Sequence, residues 1–507
     1  MTGPGFDTAR YVEAQTARIQ ERFDHFGTRL YLEFDGYVDR DRHAERVLPG
    51  FDPDAKLQVM RGLGGQLEVL ICVNARALAT EDRLRASLGA GRTADLVVLQ
   101  AVDGWTSFGV DACAVVINRF DGQREARNLR DQLEVLGVRV YTQPELPGLP
   151  ADLDRVVGPQ GWGRFPAIAT RRPIVLVTGL GREAGKHTTC LSLLYKDRRA
   201  GLRSGYARWV TFPVPTLPAG HPLHAAFEAA SADEDNRTVV DPHHLEATGE
   251  IAVTTSRELT HHGLIQRVLE RIVEAGDPMA DFPSPTALGV NACGDGIVQG
   301  AQVEEAARHE IVRRWYRYHE GIVVGSVDPE VSERMDRILH DQGLGVADRE
   351  VVEPARRAAA AARLRGKGHK GVYCGAAIQL PDGQIVDGSN SDLLHAASAV
   401  LIRALKAVAG IDEEQVLLSD ATVERIRAMK HSAMDDPFGS LSLDETLIAL
   451  SLADSDAVAR ALAALPGLRG CEMHMTHMPP PGDASGLRKV GLYYTTDGRL
   501  SFGERRI

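Results

Sequence analysis

The segment 173–194, PIVLVTGLGREAGKHTTCLSLL, constrains the fold more than any other stretch of the chain. It runs from a buried-type strand into a glycine-rich turn and then into a helix whose first turn carries Lys186, Thr188 and Thr189. Glycines in such a turn let backbone N–H groups converge on phosphate oxygens. The helix N-terminus adds partial positive charge, and the lysine adds a full one. The match to G-x-x-x-x-G-K-[ST] is partial. Gly185 and Lys186 fit, whereas Leu180, flanked by Gly179 and Gly181, stands at the first glycine position. His187 occupies the place of the Mg²⁺-ligating hydroxyl, with Thr188 one residue later.

In lacking the standard first glycine, the loop resembles those of formate–tetrahydrofolate ligase and dethiobiotin synthetase. The displaced hydroxyl is the larger departure, because metal-assisted phosphoryl transfer depends on it. Binding is therefore expected ahead of hydrolysis. Gly179, Gly181, Gly185, Lys186, Thr188 and Thr189 form the expected binding set for a nucleotide or phosphorylated metabolite, with Mg²⁺ left open. The competing reading is an ordinary strand–turn–helix whose glycines serve only the turn.

The flanking sequence supports a sheet of the required kind. Strands are expected at Arg29–Phe34, Leu67–Val73, Leu96–Gln100, Ala114–Asn118, Val138–Thr142 and Pro173–Thr178. Amphipathic helices are expected at Asp7–His25, Pro53–Leu63 and Gln123–Leu136. Such alternation predicts an α/β fold with a doubly wound, mainly parallel sheet. From residue 221 the pattern turns mostly helical, over His221–Ala230, Glu258–Glu274, Val303–His319, Pro329–Gln342 and 354–365. GKGHKG (366–371) reads as a linker before a C-terminal α/β region. The expected domains are 1–220, 221–365 and 366–507, in keeping with a 507-residue chain too long for one core.

A formal charge of −11 argues against nucleic-acid and membrane-surface partners, which favour basic patches. No apolar run reaches membrane-spanning length, and the N-terminus lacks a signal-peptide pattern. The six cysteines form no CxxC pair, so neither a zinc ribbon nor a disulfide framework is implied. A cytoplasmic protein is expected, with self-association into a homo-oligomer left open.

Six of the 17 histidines fall between residues 221 and 262: His221, His224, His243, His244, His261 and His262. In VVDPHHLEATGE, Asp241, His243, His244 and Glu246 cluster within about one helical turn. Together with Lys186 and Asn291 they are the candidates for acid–base or other catalytic roles beside a phosphate. Asp241-Pro242 also reads simply as an N-cap followed by proline at the first helical position. No three ligands show a recognised metal spacing, so the metal is unknown and a metal-dependent hydrolase is the last-ranked reading.

Residues 371–410 suggest two strands joined at Pro381-Asp382-Gly383 and then a long helix, with a further strand at Gln415–Leu418. This resembles the first half of the cytidine-deaminase fold, down to His395-Ala396 at the helix start. Zinc deamination needs a Glu two residues after the first ligand and a later Pro-Cys-x-x-Cys. Ala397 stands at the Glu position and no CxxC follows, so the resemblance implies fold without chemistry. CEMHMTHM (471–478) reads as a buried Met-rich strand rather than a metal site, followed by a loop and another strand towards Tyr494.

Several phrases together, LYLEFDG (30–36), RVLPGFDPDAK (46–56), GREAGKHTTCLSLLY (181–195), DPHHLEATGE (241–250) and SPTALGVN (284–291), resemble the bacterial uncharacterised protein family 0371. The resemblance spans nearly the whole chain. It implies a three-part α/β architecture in a bacterial cytosolic protein and carries no activity or catalytic residues. Three readings compete: an enzyme dependent on a nucleotide or phosphometabolite, with Arg46 and Lys56 as extra anion contacts; a non-catalytic ligand sensor or assembly protein; and the metal hydrolase.

Overall fold

Continuous apolar runs bounded by turns supply the central strands, as a sheet buried on both faces requires. The computed structural model describes residues 4–34, 41–80, 94–107, 109, 112–146, 148, 151–181, 183–274, 276–433 and 439–500. The chain divides into two units: residues 1–231 with 235–307, and 232–234 with 308–507.

The first unit is built on seven parallel strands, β1 (Arg29–Phe34), β2 (Leu67–Asn74), β3 (Ala112–Asn118), β4 (Val140–Thr142), β5 (Ile174–Leu180), β6 (Ser204–Trp209) and β9 (Gly289–Val290). Their order is β4-β3-β2-β5-β1-β6-β9. After β1 the chain steps outward through β2, β3 and β4, returns to insert β5 between β2 and β1, and then leaves on the other side through β6. That reversal creates a switch point at the carboxyl end of β5, where open parallel sheets place their ligands.

Leu30, Leu32 and Phe34 of β1 are fully buried, each side chain contributing about 1.5–3 kcal/mol relative to exposure. The helix Thr8–Phe26 packs on this sheet. Its Tyr11, Gln15 and Ile19 recur at i, i+4 and i+8 and are buried, and Asp7 caps it by accepting from Arg10 N–H. β7 (Thr238–Val240) and β8 (Val253–Thr255) form a separate antiparallel pair.

The second unit carries a four-stranded sheet in the order β11-β10-β12-β13, from β10 (Gly375–Gln379), β11 (Ile385–Ser389), β12 (Glu472–Met475) and β13 (Tyr493–Thr496). β10 runs antiparallel to both neighbours, while β12 and β13 are parallel. Period-two alternation divides the faces. Ala376 and Ile378 join the core formed with the helix Ala396–Ala409, whereas Ala377 packs with Val351 and Ala355 on the opposite side.

Several elements depart from expectation. Leu96–Gln100 lies inside a helix, Ala94–Ser107, because the apolar run continues with Val98 and Trp105 buried seven residues apart. A short apolar run alone does not separate strand from buried helix. Gln415–Leu418 forms no strand, and the stretch before Tyr494 holds the helix Pro481–Val490 ahead of β13. GKGHKG, expected as a linker, lies in the connection between the helix Val352–Leu364 and β10. The stretch 221–365 is mainly helical but adds β7, β8 and β9. As expected, the Met-rich segment is a strand, with Cys471, Met473 and Met475 in the core. Among the described residues, no helix is long and apolar enough to cross a membrane.

Candidate functional site

The turn from β5 into the helix Lys186–Arg199 is folded tightly enough that side chains at its glycines would collide. A Cβ on Gly179 would stand 2.7 Å from Ala184 Cβ and 3.1 Å from Lys186 Cγ. Gly185 caps the helix with φ +88, and a Cβ there would lie 2.6 Å from Asn118 Cγ. Left-handed backbone with no space for a side chain is a position only glycine fills without strain. Gly181 and Glu183 are also left-handed, at φ 83 and 52. Arg182 lies outside the described residues.

Two asparagines hold the loop's carbonyls. Asn74, the last residue of β2, donates from Nδ2 to Glu183 O at 3.2 Å. Asn118, the last residue of β3, donates to Ala184 O at 2.7 Å and to Thr189 Oγ1 at 3.3 Å. In a trans peptide the C=O and N–H point in opposite directions. Anchoring the carbonyls of residues 183 and 184 therefore turns the N–H groups of Ala184 and Gly185 away from the asparagines. Neither N–H has an acceptor among the described residues, although Ala184 is only 1% exposed. Gly185 also brings no side chain to cap the first helical turn. Buried backbone donors are rarely left unmatched.

The expected binding residues divide into two groups. Gly179, Gly181, Gly185, Lys186 and Thr188 are at the loop or the helix start, partly accessible where their exposure exceeds the core's. Thr189 is fully buried, its hydroxyl accepting from Asn118 and contacting Cys72 Sγ at 3.4 Å, so it braces the loop from beneath. Burial pushes the Cys72 thiol up to about 12, leaving it an inert small hydrophobe.

Lys186 and His187 meet a carboxylate that local sequence reasoning overlooked. Glu33, near the carboxyl end of β1, is 1% exposed and lies 2.5 Å from His187 Nδ1 and 4.0 Å from Lys186 Nζ. Tyr206 on β6 donates its hydroxyl to Glu33 Oε2 at 2.8 Å. Burial, reinforced by the Glu33 charge, raises the Tyr206 phenol well above its ordinary value, so it stays a donor. Lys186 Nζ also donates to Phe34 O at 2.9 Å. Neighbouring strands thus place a cation, an imidazole and a buried anion at one sheet edge. His261 stands 6.1 Å from the His187 ring, and burial, with His187, Arg257 and Arg208 nearby, lowers its pKa. Arg208 pairs with Glu258 on the same side.

Most of the remaining sequence candidates have structural partners. Asp241 is fully buried: it caps the helix Pro242–Thr248 through His244 N–H at 3.1 Å and accepts from Thr286 N–H (3.0 Å) and Oγ1 (2.7 Å). Asn291 donates to the carbonyls of Thr211 and Pro213 and accepts from Cys293 N–H. His244 approaches Ser284 Oγ at 3.4 Å, His243 packs 4.6 Å from the His262 ring, and Glu246 is exposed. His224 is buried between Val214 N–H and Pro218 O, and desolvation lowers it to about 4. Lys56 is buried against Asp41 at 2.6 Å. Among the described residues, no group of three or more His, Cys, Asp or Glu is arranged to hold a metal ion.

The missed residues Glu33, Asn74 and Asn118 share one signal, a polar residue at or beside the carboxyl end of an otherwise apolar strand run. Only the strand order brings them to the loop.

Fold and composition together define a two-part protein with a parallel α/β unit followed by a smaller mixed-sheet unit. Residues 4–343 match the domain of unknown function DUF1846, N-terminal, and residues 347–504 match its C-terminal counterpart. A UPF0371 protein of Clostridium botulinum (strain Eklund 17B / Type B) is 36% identical over 496 residues, covering 97% of each chain. One from Clostridium tetani (strain Massachusetts / E88) is 36% identical over 497 residues, again 97% of each. The chain belongs to the UPF0371 family, whose function is unknown.

Proposed function

We propose that the protein binds a nucleotide or another phosphorylated small molecule at the 179–189 loop. The observation that carries this reading is the pair of adjacent N–H donors at Ala184 and Gly185, turned by Asn74 and Asn118 and lacking acceptors among the described residues. An anion seated there would satisfy both, with the helix Lys186–Arg199 adding its N-terminal dipole and Lys186 its charge. The position supports the same reading, because β5 ends at the sheet's switch point.

The test is thermal stabilisation by a panel of nucleotides and phosphorylated metabolites. At least one compound is expected to raise the melting temperature of the wild type and to lose that effect in Lys186→Ala. Equal stabilisation of both proteins by every active compound would sink the reading.

A non-catalytic sensor is the second reading, and His187 favours it. The residue at the usual hydroxyl position is an imidazole tied to Glu33 and Tyr206 rather than a ligand for Mg²⁺. In this version the second unit serves docking or self-association. Its hairpin β10–β11 leading into the helix Ala396–Ala409 supports a deaminase-like fold, and buried Ala397 supplies no general acid. Saturable binding without turnover supports the sensor, whereas Lys186-dependent product formation rules it out.

A further inference from the structure

The turn that follows β3 is bolted to the loop and ends on an unmatched carboxylate. Asn118, 4% exposed, holds Ala184 O, and Arg119 pairs with Glu183 at 2.8 Å. Gln123 then braces the turn by donating from Nε2 to Arg119 O at 3.0 Å and accepting Asp121 N–H at 2.7 Å. Asp121 is exposed, and its carboxylate has no partner among the described residues. Beside it, Phe120 N–H donates to Gln143 O at 3.0 Å. Gln143 is 1% exposed, yet its side-chain oxygen is buried without a hydrogen bond.

β3 lies two strands from β5, about 10 Å at the spacing of a β-sheet. A nucleotide with its phosphates on the loop could run along the carboxyl edge, its ribose over β2 and its base at the 118–121 turn. Asp121, exposed at the end of that turn, offers carboxylate acceptors there, so a base read by it must bring donors. Guanine carries N1–H and a 2-amino group side by side, which suit the two oxygens of one carboxylate. Adenine presents an acceptor at N1 and no 2-amino group.

From this we infer that the turn Asn118–Asp121 reads the base of a guanine nucleotide, with Asp121 as the specificity-determining acceptor. The inference rests on the phosphate reading of the loop. A charge-assisted hydrogen bond is worth about a factor of ten or more in affinity, so discrimination of that order is expected.

Titration calorimetry on the full chain tests it with GDP, inosine diphosphate, ADP, xanthosine diphosphate and pyrophosphate. GDP is expected to bind at least about tenfold tighter than ADP, with inosine diphosphate, which lacks the 2-amino group, between them. Asp121→Asn, an exposed substitution, is expected to reverse the preference from GDP to xanthosine diphosphate, since its amide can donate to the 2-oxo group. Equal affinity for GDP and ADP, or Asp121→Asn binding GDP as the wild type does, overturns the base reading. So does an absence of nucleotide binding. In each of those cases, pyrophosphate binding that disappears in Lys186→Ala leaves the phosphate reading standing. Pyrophosphate and GDP binding that both survive Lys186→Ala overturn the phosphate reading and the inference with it.

Discussion

The two units use buried polar groups in opposite ways. In the second unit, Arg349 is almost fully buried and each nitrogen of its guanidinium has an acceptor: Thr495 Oγ1 at 2.9 Å, Met473 O at 2.8 Å, Tyr493 O and the Glu472 carboxylate. His474, fully buried, lies between Thr495 Oγ1 at 2.9 Å and Asp497 at 3.2 Å, and Asp497 in turn takes Arg356. The groups around Arg349 and His474 answer one another, while Arg313 beside them makes ion pairs with Glu472 and Glu310 and leaves its Nε and Nη1 buried without a hydrogen bond. In the first unit, the asparagines at the ends of β2 and β3 hold carbonyls so that the N–H groups of Ala184 and Gly185 are left open. A satisfied polar network specifies a fold, whereas an ordered but unsatisfied one calls for an explanation, which the proposed anion site would supply.

The largest effect that would sharpen this contrast lies in the Arg349 network. Arg349→Ala removes one of the two cations on the partly buried Glu472, leaving Arg313 at 3.4 Å. A loss of about 3–5 kcal/mol is expected by denaturant unfolding, with ligand binding by the folded fraction unchanged. A loss below about 1 kcal/mol would mean that the network is ordinary surface pairing.

Acid comes next. His224 is held near 4 in the folded state against an ordinary value of 6.5. The unfolded chain therefore takes up a proton first as the pH falls. Stability contributed by neutral His224 is present above pH 6.5, declines between about 6.5 and 4, and is worth at most about 3 kcal/mol. His224→Gln should flatten that part of the profile; an unchanged slope would remove His224 as its cause.

A smaller loss is expected at the open edge. Gly185→Ala forces a Cβ against Asn118 in left-handed backbone, at a cost of about 1–3 kcal/mol, and it should weaken phosphate binding more than the stability change explains. Unaltered binding would show that the Gly185 geometry does not matter to a ligand.

Much of the fold was legible in the sequence because local patterning and burial agree. The strand Arg29–Phe34 was readable to the residue, and the helices Thr8–Phe26 and Arg124–Val135 to within one residue at each end, since their apolar periodicity and terminal signals coincide. Leu96–Gln100 failed because five apolar-rich residues fit either period. The loop was recognisable from glycine and lysine spacing, and Asp241-Pro242 was recognisable as a helix start. Glu33, Asn74 and Asn118 were not, because their contacts span 66 or more residues and follow from β5 inserting between β2 and β1. Local chemistry names the loop, and topology supplies its partners.

The two N–H groups can be observed directly. With ¹⁵N placed selectively at alanine and glycine, pyrophosphate is titrated into the full chain and the Ala184 and Gly185 amide signals are followed. Both are expected to shift together and saturably in the wild type, and to stay in place in Lys186→Ala. Signals that do not move in the wild type, or that move identically in Lys186→Ala, would contradict the loop as an anion site.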